Sequence, residues 1–335
     1  MDYETILTSL KEFNRDEEIF KDFYLNPSIS PEEFRAKYPE DKEDVDTALY
    51  PDKIPYFRSE DDLIEGGRNI KIIKHTRYFP LFYHEHAFFE IIYVLSGTCI
   101  QRFQGSTIKL KKGGLCLMAP NVEHGIEVFD ESVILNLLIK RSTFMDIFIN
   151  AVRDKTQLSS FFLDNIYSKK KMKYLIYHTN EDEKIRNYIL DIYIEQQNFD
   201  EYSDRIMCSM LMIFFAQLTR RHKHTMDIPQ SQNPLFEKEI LGYMLNNYKS
   251  VTLSRLAEKL HFSVPYCSKM IKEASGYSFS ELLTRIRLQK GENLLLSTQM
   301  SVAEISNKLG YENPETFIRV MKRYHGMTPS QYRKQ

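Results

Sequence analysis

Two histidines and a glutamate lie close together in the N-terminal half of the chain. His84, His86 and Glu90 are spaced by even numbers of residues, so they share one face if the segment is a β-strand, whose side chains alternate. If His124 comes from a neighbouring strand, four side chains converge on one point. Three imidazoles and one carboxylate suit Fe, Mn, Zn or Ni and leave one or two coordination positions open. The residue types therefore allow a divalent transition metal, although nothing in the sequence makes a cofactor certain.

A second set of polar residues recurs near the C-terminus, where a weak internal repeat begins at about Leu235. Phe262 and Gly276 of the first repeat correspond to Tyr311 and Gly326 of the second, at offsets of 49 and 50 residues. Each repeat is predicted to form a short helix, a tight turn and a second, basic helix. This is how a helix-turn-helix presents a recognition helix to the major groove of DNA.

Capping residues place the starts of these helices. Thr252 and Ser263 can cap the two helices of the first repeat, and Ser301 and Asn313 those of the second. Gly310 supplies the turn of the second repeat, where a positive φ costs a glycine little. The sequence therefore predicts two similar helical modules.

The outward positions of the two second helices carry side chains that can contact DNA. Arg and Lys pair with guanine and Glu with the amino group of cytosine, whereas basic residues one turn later are better placed for phosphates. The predicted DNA-binding residues are Tyr266, Ser268, Lys269, Lys272, Asn313, Glu315, Thr316, Arg319, Lys322 and Arg323. A solvent-exposed helix face is the alternative for any one of them. Double-stranded DNA is the predicted partner of residues 235–335.

These motifs resemble the signature of the AraC/XylS family of transcription regulators. The similar stretches are Leu256-Ala257, Ser268 to Lys272, Ile305 to Tyr311, Phe317-x-Arg319-x-x-Lys322 and Gly326 to Arg333. The resemblance covers about 100 residues. It implies seven helices, of which the middle one holds two readers so that they enter successive major grooves about 34 Å apart.

Two residues depart from the family pattern in the first repeat. His261 stands where the family usually has glycine, and Pro265 occupies a position often used for base contact. Proline has no N–H donor. Direct readout by the first module is therefore expected to depend on Tyr266, Ser268 and Lys269.

The histidine-rich segment lies among short runs that predict strands. These runs are IKIIKHTRYF, FFEIIYVLSG, TCIQRFQG, STIKLKKGG, LCLMAP and SVILNLLIK, between residues 70 and 140. Their close spacing is typical of an antiparallel sandwich or barrel. The segment His84 to Glu90 with Gly97, and the later Gly114, Pro120 and His124, resemble the two cupin motifs, the second in altered form.

Many AraC-like regulators use such a barrel as their effector domain, so the resemblance implies a small-molecule effector of unknown identity. The polar residues of the motif then line an effector pocket instead of holding a metal, and both alternatives remain open. The candidate effector-binding residues are His84, His86, Glu90, Tyr93, Arg102 and His124.

The predicted fold class is multi-domain. It comprises a helical N-terminal extension (1–65), an antiparallel cupin-like β-barrel (66–140), a helical dimerisation or packing region (141–224), a linker (225–234) and an all-α domain with two helix-turn-helix motifs (235–335). The helices of 141–224 either form a homodimer interface or only cover the barrel. No role for the extension follows from its sequence.

Charge and composition narrow the class of protein. The net charge of −1 divides into +6 for residues 235–335 and −7 for the rest, which favours an anionic partner for the C-terminal domain alone.

Four cysteines without a C-x-x-C pair indicate neither a disulfide framework nor a zinc module. The N-terminus is too acidic for a signal peptide, and Met207 to Leu218 is too short for a membrane span. We therefore expect a cytoplasmic protein with no membrane partner.

Together these features predict a sequence-specific DNA-binding transcription regulator controlled by an effector bound in the barrel. It is expected to be a homodimer, to have no catalytic residues and not to be an enzyme, with RNA polymerase as a further candidate partner. One alternative is a metal-dependent cupin enzyme fused to a DNA-binding module. Another is an architectural DNA-binding protein whose barrel is occluded.

Overall fold

A computed structural model describes residues 3–64, 68–144, 173–222, 226–227 and 236–334, with the single positions 158, 161, 162 and 165. The chain divides into an N-terminal unit, residues 1–147 and 173–228, and a C-terminal unit, residues 148–172 and 229–335. None of the helices in the described ranges is long and apolar enough to span a membrane.

Short helices form the N-terminal extension, as predicted. They are α1 (Tyr3–Lys11), α2 (Arg15–Leu25), α3 (Pro31–Lys37), α4 (Lys42–Leu49), a 3₁₀ turn (Pro51–Lys53) and α5 (Glu60–Leu63). Ser30 begins α3 with a capping box that Glu33 completes. Ile19, Phe20 and Phe34 pack with Tyr78 from outside the extension. The extension therefore shares a core with the sheet domain and is not a separate domain.

Two antiparallel sheets and one short parallel pair build the sheet domain. The strands are β1 (Phe57–Arg58), β2 (Ile70–Lys74), β3 (Glu85–His86), β4 (Phe89–Ser96), β5 (Thr98–Phe103), β6 (Ser106–Lys111), β7 (Gly114–Met118), β8 (His124–Glu127), β9 (Val133–Ile139), β10 (Tyr174–His178) and β11 (Met226–Asp227). One sheet has the order β11-β10-β7-β4-β9-β2 and the other β6-β5-β8, while β1 pairs with β3. The antiparallel class and the six strand-forming runs agree with the sequence prediction.

The structure differs from the prediction for residues 141–224 and for the linker. Strand β10 lies in the predicted helical region and pairs with β7, and β11 lies in the predicted linker and pairs with β10. A five-residue run such as YLIYH is too short for periodicity to separate a strand from a helix. Most of 145–172, and of the linker, lies outside the described residues.

Two long helices follow β10, as predicted: α6 (Glu183–Gln197) and α7 (Ser203–His222). The side-chain amide of Gln196 bonds both backbone groups of Ile72, accepting from its N–H and donating to its C=O, each at 2.7 Å. The carboxylate of Asp204 accepts from the backbone of Asn69 at 2.7 Å. These bonds satisfy backbone groups at the edge strand β2, which would otherwise be open to pairing.

Residues 236–334 of the C-terminal unit contain seven α-helices, the number that the resemblance implies. They are α8 (Gly242–Asn247), preceded by a π turn (Phe236–Leu241), α9 (Leu253–Lys259), α10 (Val264–Ser275), α11 (Phe279–Ser297), α12 (Val302–Leu309), α13 (Pro314–His325) and α14 (Pro329–Tyr332). Thr252, Ser263, Ser301 and Asn313 all accept cap hydrogen bonds. The predicted helix starts are therefore confirmed.

Contacts within this unit hold the second module against the end of α8. Arg287 donates from Nε to the carbonyl of Tyr248 at 2.9 Å and from Nη2 to that of Lys249 at 3.1 Å. Its guanidinium also lies 5.1 Å from the ring centre of Tyr311. Gly310 has φ +85°, and a Cβ there would lie 2.2 Å from the carbonyl oxygen of Lys249. The turn of the second module thus requires glycine for two independent reasons.

Candidate functional site

A cavity of about 290 Å³ opens within the N-terminal unit. Both sheets line it, through Glu90 and Leu138 on one and His124 and Ile126 on the other. Apolar side chains such as Phe79, Phe82 and Phe88 supply most of the wall area, and polar side chains from several strands also line the cavity. A small concave site with an apolar wall and a few convergent polar groups is typical of a small-molecule pocket.

The residues predicted to share one face of the histidine-rich segment do face one cavity, although the segment is not a single strand, because β3 ends at His86 and β4 begins at Phe89. His84, His86, Phe88 and Glu90 all line the cavity. Glu85 points the other way, where its carboxylate accepts a hydrogen bond from the hydroxyl of Tyr56 at 3.0 Å. Backbone hydrogen bonds between His84 and His124, of 3.0 and 3.1 Å, bring His124 beside this segment.

Three of the four predicted metal ligands converge. One ligand atom each from His86, Glu90 and His124 lies within 4.8 Å of the other two, and all three residues are buried. Nε2 of His86 lies 3.2 Å from Oε2 of Glu90, and Nε2 of His124 lies 3.5 Å from the same oxygen. Ligand atoms about 2.1 Å from a common ion are separated by roughly 3.0–3.4 Å, and these two separations are close to that range.

The other nitrogen of each ring is engaged by the backbone. Nδ1 of His86 lies 2.8 Å from the carbonyl oxygen of Phe88, and Nδ1 of His124 lies 2.9 Å from that of Val122. A carbonyl only accepts, so both Nδ1 atoms carry protons and a neutral ring keeps its lone pair on Nε2. Metal-ligating histidines are oriented by the same kind of bond.

Glu90 lies at the centre of this group. Its Oε1 accepts a hydrogen bond from Asn136 at 2.9 Å, while its Oε2 and Nε2 of His86 lack a hydrogen-bond partner among the described residues. Burial raises the pKa of Glu90, but the nearby rings of His124 and His86 outweigh burial and hold the pKa well below its ordinary value. This lowering needs a positive charge beside the ionised carboxylate, because two rings that were both neutral would turn lone pairs towards it. A positive charge between them, a proton or a metal ion, relieves that repulsion.

The other predicted effector residues lie differently. His84 lines the cavity with its ring stacked on Phe82, 4.6 Å between centroids, and is not part of the convergent group. Burial is the largest cause that lowers the pKa of His84 to about 3, so its ring is neutral. Tyr93 and Arg102 are not among the cavity-lining residues, and Arg102 instead forms an ion pair with Glu127.

The sequence did not single out His75 and Asn136, which also line the cavity. Burial lowers the pKa of His75 to about 4, so it adds a neutral polar group to the wall. Asn136 interrupts the apolar strand VILNLLI. An amide at the centre of an apolar strand is a signal that could have identified this residue.

Nine of the ten predicted DNA-binding residues lie on α10 and α13, and Asn313 directly precedes α13; the two helices have 12 residues each and both end at a glycine in the left-handed conformation. The exposed ones are Tyr266, Lys269, Lys272, Asn313, Glu315, Arg319, Lys322 and Arg323, whereas Ser268 and Thr316 are half-buried. The side chain of Asn313 accepts from the backbone of Glu315 at 2.9 Å and so caps α13.

Two family models match the chain. An AraC-like ligand binding domain matches residues 71–156, and a helix-turn-helix domain matches residues 256–335. The first match covers most of the strands around the cavity, and the second covers both reading helices.

Several known proteins are similar to parts of the chain. The raffinose operon transcriptional regulatory protein RafR of Pediococcus pentosaceus is 35% identical over 95 residues, which are 28% of this chain and 34% of RafR. The transcriptional regulator GadX of Escherichia coli is 28% identical over 170 residues, 50% of this chain and 60% of GadX. The structure of ToxT from Vibrio cholerae aligns with 79% of this chain and 97% of its own, at 16% identity and a TM-score of 0.34. The matched part spans 11% to 34% of four curated relatives.

Proposed function

The chain belongs to the AraC family of transcription regulators, and on this basis we propose that a small molecule bound in its N-terminal cavity controls how its two reading helices bind specific DNA. The observation that carries the proposal is the presence, in one chain, of a cavity with convergent polar groups and of two capped helices with exposed basic residues. The ligand acts by favouring one arrangement of the protein over another. The chain would act in the cytoplasm, with RNA polymerase as a further partner and without catalysis of its own.

The test is binding of the full-length chain to a random DNA library at two salt concentrations. We expect enrichment of a motif with two elements about one helical turn apart, and affinity that falls steeply as salt rises. Salt-sensitive binding without a motif would indicate an architectural protein instead. Equal DNA affinity with and without every compound that binds the cavity would contradict ligand control.

Base contacts and phosphate contacts on α13 should be separable by mutation. Arg319→Ala should cost about 1–3 kcal/mol of binding free energy and relax specificity at one base position. Lys322→Ala should weaken binding to all sequences alike and lower the salt slope by about 1. Both side chains are exposed on the same helix, so each variant is the control for the other. Uniform loss from Arg319→Ala would show that Arg319 contacts only phosphate.

We also propose that His86, Glu90 and His124 hold a divalent transition metal in the cavity. The two nitrogens and the carboxylate oxygen suit Zn, Fe, Mn or Ni, and two of their separations fit a common ion. Such an ion would give the cavity a positive centre that attracts the carboxylate or hydroxyl oxygens of a ligand. His84, predicted as a fourth ligand, has no place in this proposal because the convergent group excludes it.

Metal titration of the chelator-treated protein tests this proposal. We expect one Zn²⁺ or Ni²⁺ per chain and an unfolding temperature that rises with metal concentration, since an ion that binds only the folded state stabilises it. His86→Ala should abolish both effects. His84→Ala, in the same cavity, is the matched control and should retain one ion per chain. Retention of the ion by His86→Ala would exclude the site.

Helix α7 presents the surface that we propose for homodimer formation. Its inner face is buried, whereas Ile206, Met212 and Ile213 are 39–49% exposed on the outer face. Ile206 and Ile213 are two turns apart and form an apolar stripe along the helix, and Met212 lies about 100° around the helix from Ile213. A second copy of the chain can cover this stripe with its own.

Sedimentation tests the homodimer. Ile213→Arg should convert a dimer into a monomer, because it places a charge at the C-terminal end of the apolar stripe. Leu25→Arg changes an exposed leucine, 61% accessible, elsewhere in the same unit and should leave the dimer intact. A wild-type chain that sediments as a monomer with and without DNA would refute the proposal.

A further inference from the structure

The exposed tip of the first reading helix, α10, is apolar. Val264 and Tyr266 are 40% and 50% exposed, and Pro265 between them is exposed as well. The hydroxyl of Ser263 accepts from the backbone N–H of Tyr266 at 3.3 Å, so it serves as the helix cap. Apart from the Tyr266 hydroxyl, this first turn therefore offers no side-chain group suited to a base-specific hydrogen bond.

The second reading helix, α13, is different at the equivalent positions. The two helices have the same length and end at Gly276 and Gly326, so an offset of 50 residues superposes them in sequence. Pro265 then corresponds to Glu315, Tyr266 to Thr316 and Lys269 to Arg319. The basic residue of the following turn is lysine in both, at 272 and 322. The two helices thus share the position predicted to contact phosphate but differ at the positions predicted to contact bases.

The chemistry of the major groove relates this difference between the two helices to the bases that each can recognise. The only apolar group that a base pair presents there is the 5-methyl group of thymine, whereas guanine, cytosine and adenine are read through hydrogen bonds. On the basis of the proposed DNA-binding function, we propose that the first reader recognises thymine by its methyl group through Val264 and Tyr266. The second reader recognises a G·C pair through Arg319 and Glu315.

The contacts of Tyr266 support this division. Its ring packs against Phe262, with 5.0 Å between the ring centroids, and Phe262 packs on the core of the first module. The exposed ring is therefore held in place, and little side-chain entropy remains to be lost when a base contacts it. Lys269, one turn later, is 72% exposed with only a 3.8 Å contact to Glu273, which leaves its charge available for the backbone of the same groove.

Thymine-to-uracil substitution tests the proposal on the full-length chain, because uracil lacks only the methyl group. After the two-element site is selected from random DNA, each thymine of each element is replaced by uracil. We expect about a fourfold loss of affinity for at least one thymine of the first element, the effect of removing about one buried CH₂-sized group. Cytosine at that position should bind worse than 5-methylcytosine.

Protein variants connect this effect to the residues. Val264→Ala should reduce the fourfold difference between thymine and uracil sites, because only Tyr266 then contacts the methyl group, whereas Arg319→Ala, which acts on the other element, should keep the difference. A selected site whose first element contains no preferred thymine, or one in which uracil binds as well as thymine, overturns the inference and leaves the DNA-binding function standing. The absence of any selected motif overturns both.

Discussion

Glu17→Gln is expected to destabilise the N-terminal unit by roughly 3–5 kcal/mol, because it leaves a buried guanidinium without its counter-charge. Glu17 is fully buried and Arg77 is 1% exposed. The carboxylate of Glu17 accepts from Nε of Arg77 at 2.9 Å, from its Nη2 at 2.7 Å and from Nζ of Lys74 at 2.7 Å. Chemical unfolding followed by circular dichroism measures the loss.

The neighbouring residue provides a matched control. Glu18 is on the same helix, and its contact with Arg15 is between exposed side chains at 3.5 Å. An exposed ion pair of this kind contributes little to the free energy of unfolding, about 0–1 kcal/mol. Glu18→Gln should therefore leave the unfolding midpoint almost unchanged. Equal effects of the two substitutions would mean that the buried cluster does not stabilise the fold.

The same carboxylate predicts how stability depends on pH. Burial would raise the pKa of Glu17, but hydrogen bonds from Arg77 and Lys74 outweigh burial and lower the pKa from 4.5 to about 2. Since the folded pKa lies below the unfolded one, this stabilisation is complete above pH 4.5 and is lost as the pH falls towards 2. Wild type should therefore lose more stability over this range than Glu17→Gln does.

This cluster also connects the N-terminal extension to the ligand cavity. Lys74 and Thr76 line the cavity, and each also bonds a residue of α2, Glu17 and Asp16 respectively. These bonds connect the wall of the cavity to the N-terminal extension, for which the sequence indicated no role.

The features that the sequence predicted are those set by local interactions. Ser30, Ser301 and Asn313 begin helices because each side chain caps a backbone group two or three residues away. The shared face of His84, His86 and Glu90 was predicted from the two-residue period of a strand, and it persists although β3 ends at His86 and β4 begins at Phe89. Both kinds of signal are contained in a few consecutive residues, so no knowledge of the rest of the chain is needed.

The features that the sequence did not predict depend on residues far apart in the chain. Glu17 and Arg77 are 60 residues apart and nothing in either segment identifies the other as its partner. Arg102 was expected in the pocket, but its strand pairs with β8 so that it meets Glu127 instead. Strand register decides which way a side chain faces, and a shift of one residue reverses it.

Gly310→Ala is the second change with a large expected effect, because it should disable the second reader. Positive φ alone costs a residue with a Cβ about 1–2 kcal/mol, and Gly310 has φ +85°. A Cβ would also lie 2.2 Å from the carbonyl oxygen of Lys249, and overpacking of this kind adds about 1–3 kcal/mol. The turn must shift to relieve the contact. Because α13 begins only a few residues later, this shift should also displace α13.

Gly326→Ala separates the two causes within the same module. Gly326 ends α13 with φ +72°, and a Cβ there meets nothing within 4 Å, so only the backbone cost of about 1–2 kcal/mol applies. Thermal unfolding should therefore show a clearly larger loss for Gly310→Ala. In DNA binding, Gly310→Ala should lose discrimination at the second element while that at the first persists, and Gly326→Ala should keep both. Equal behaviour of the two variants would mean that the Lys249 contact does not position the second reader.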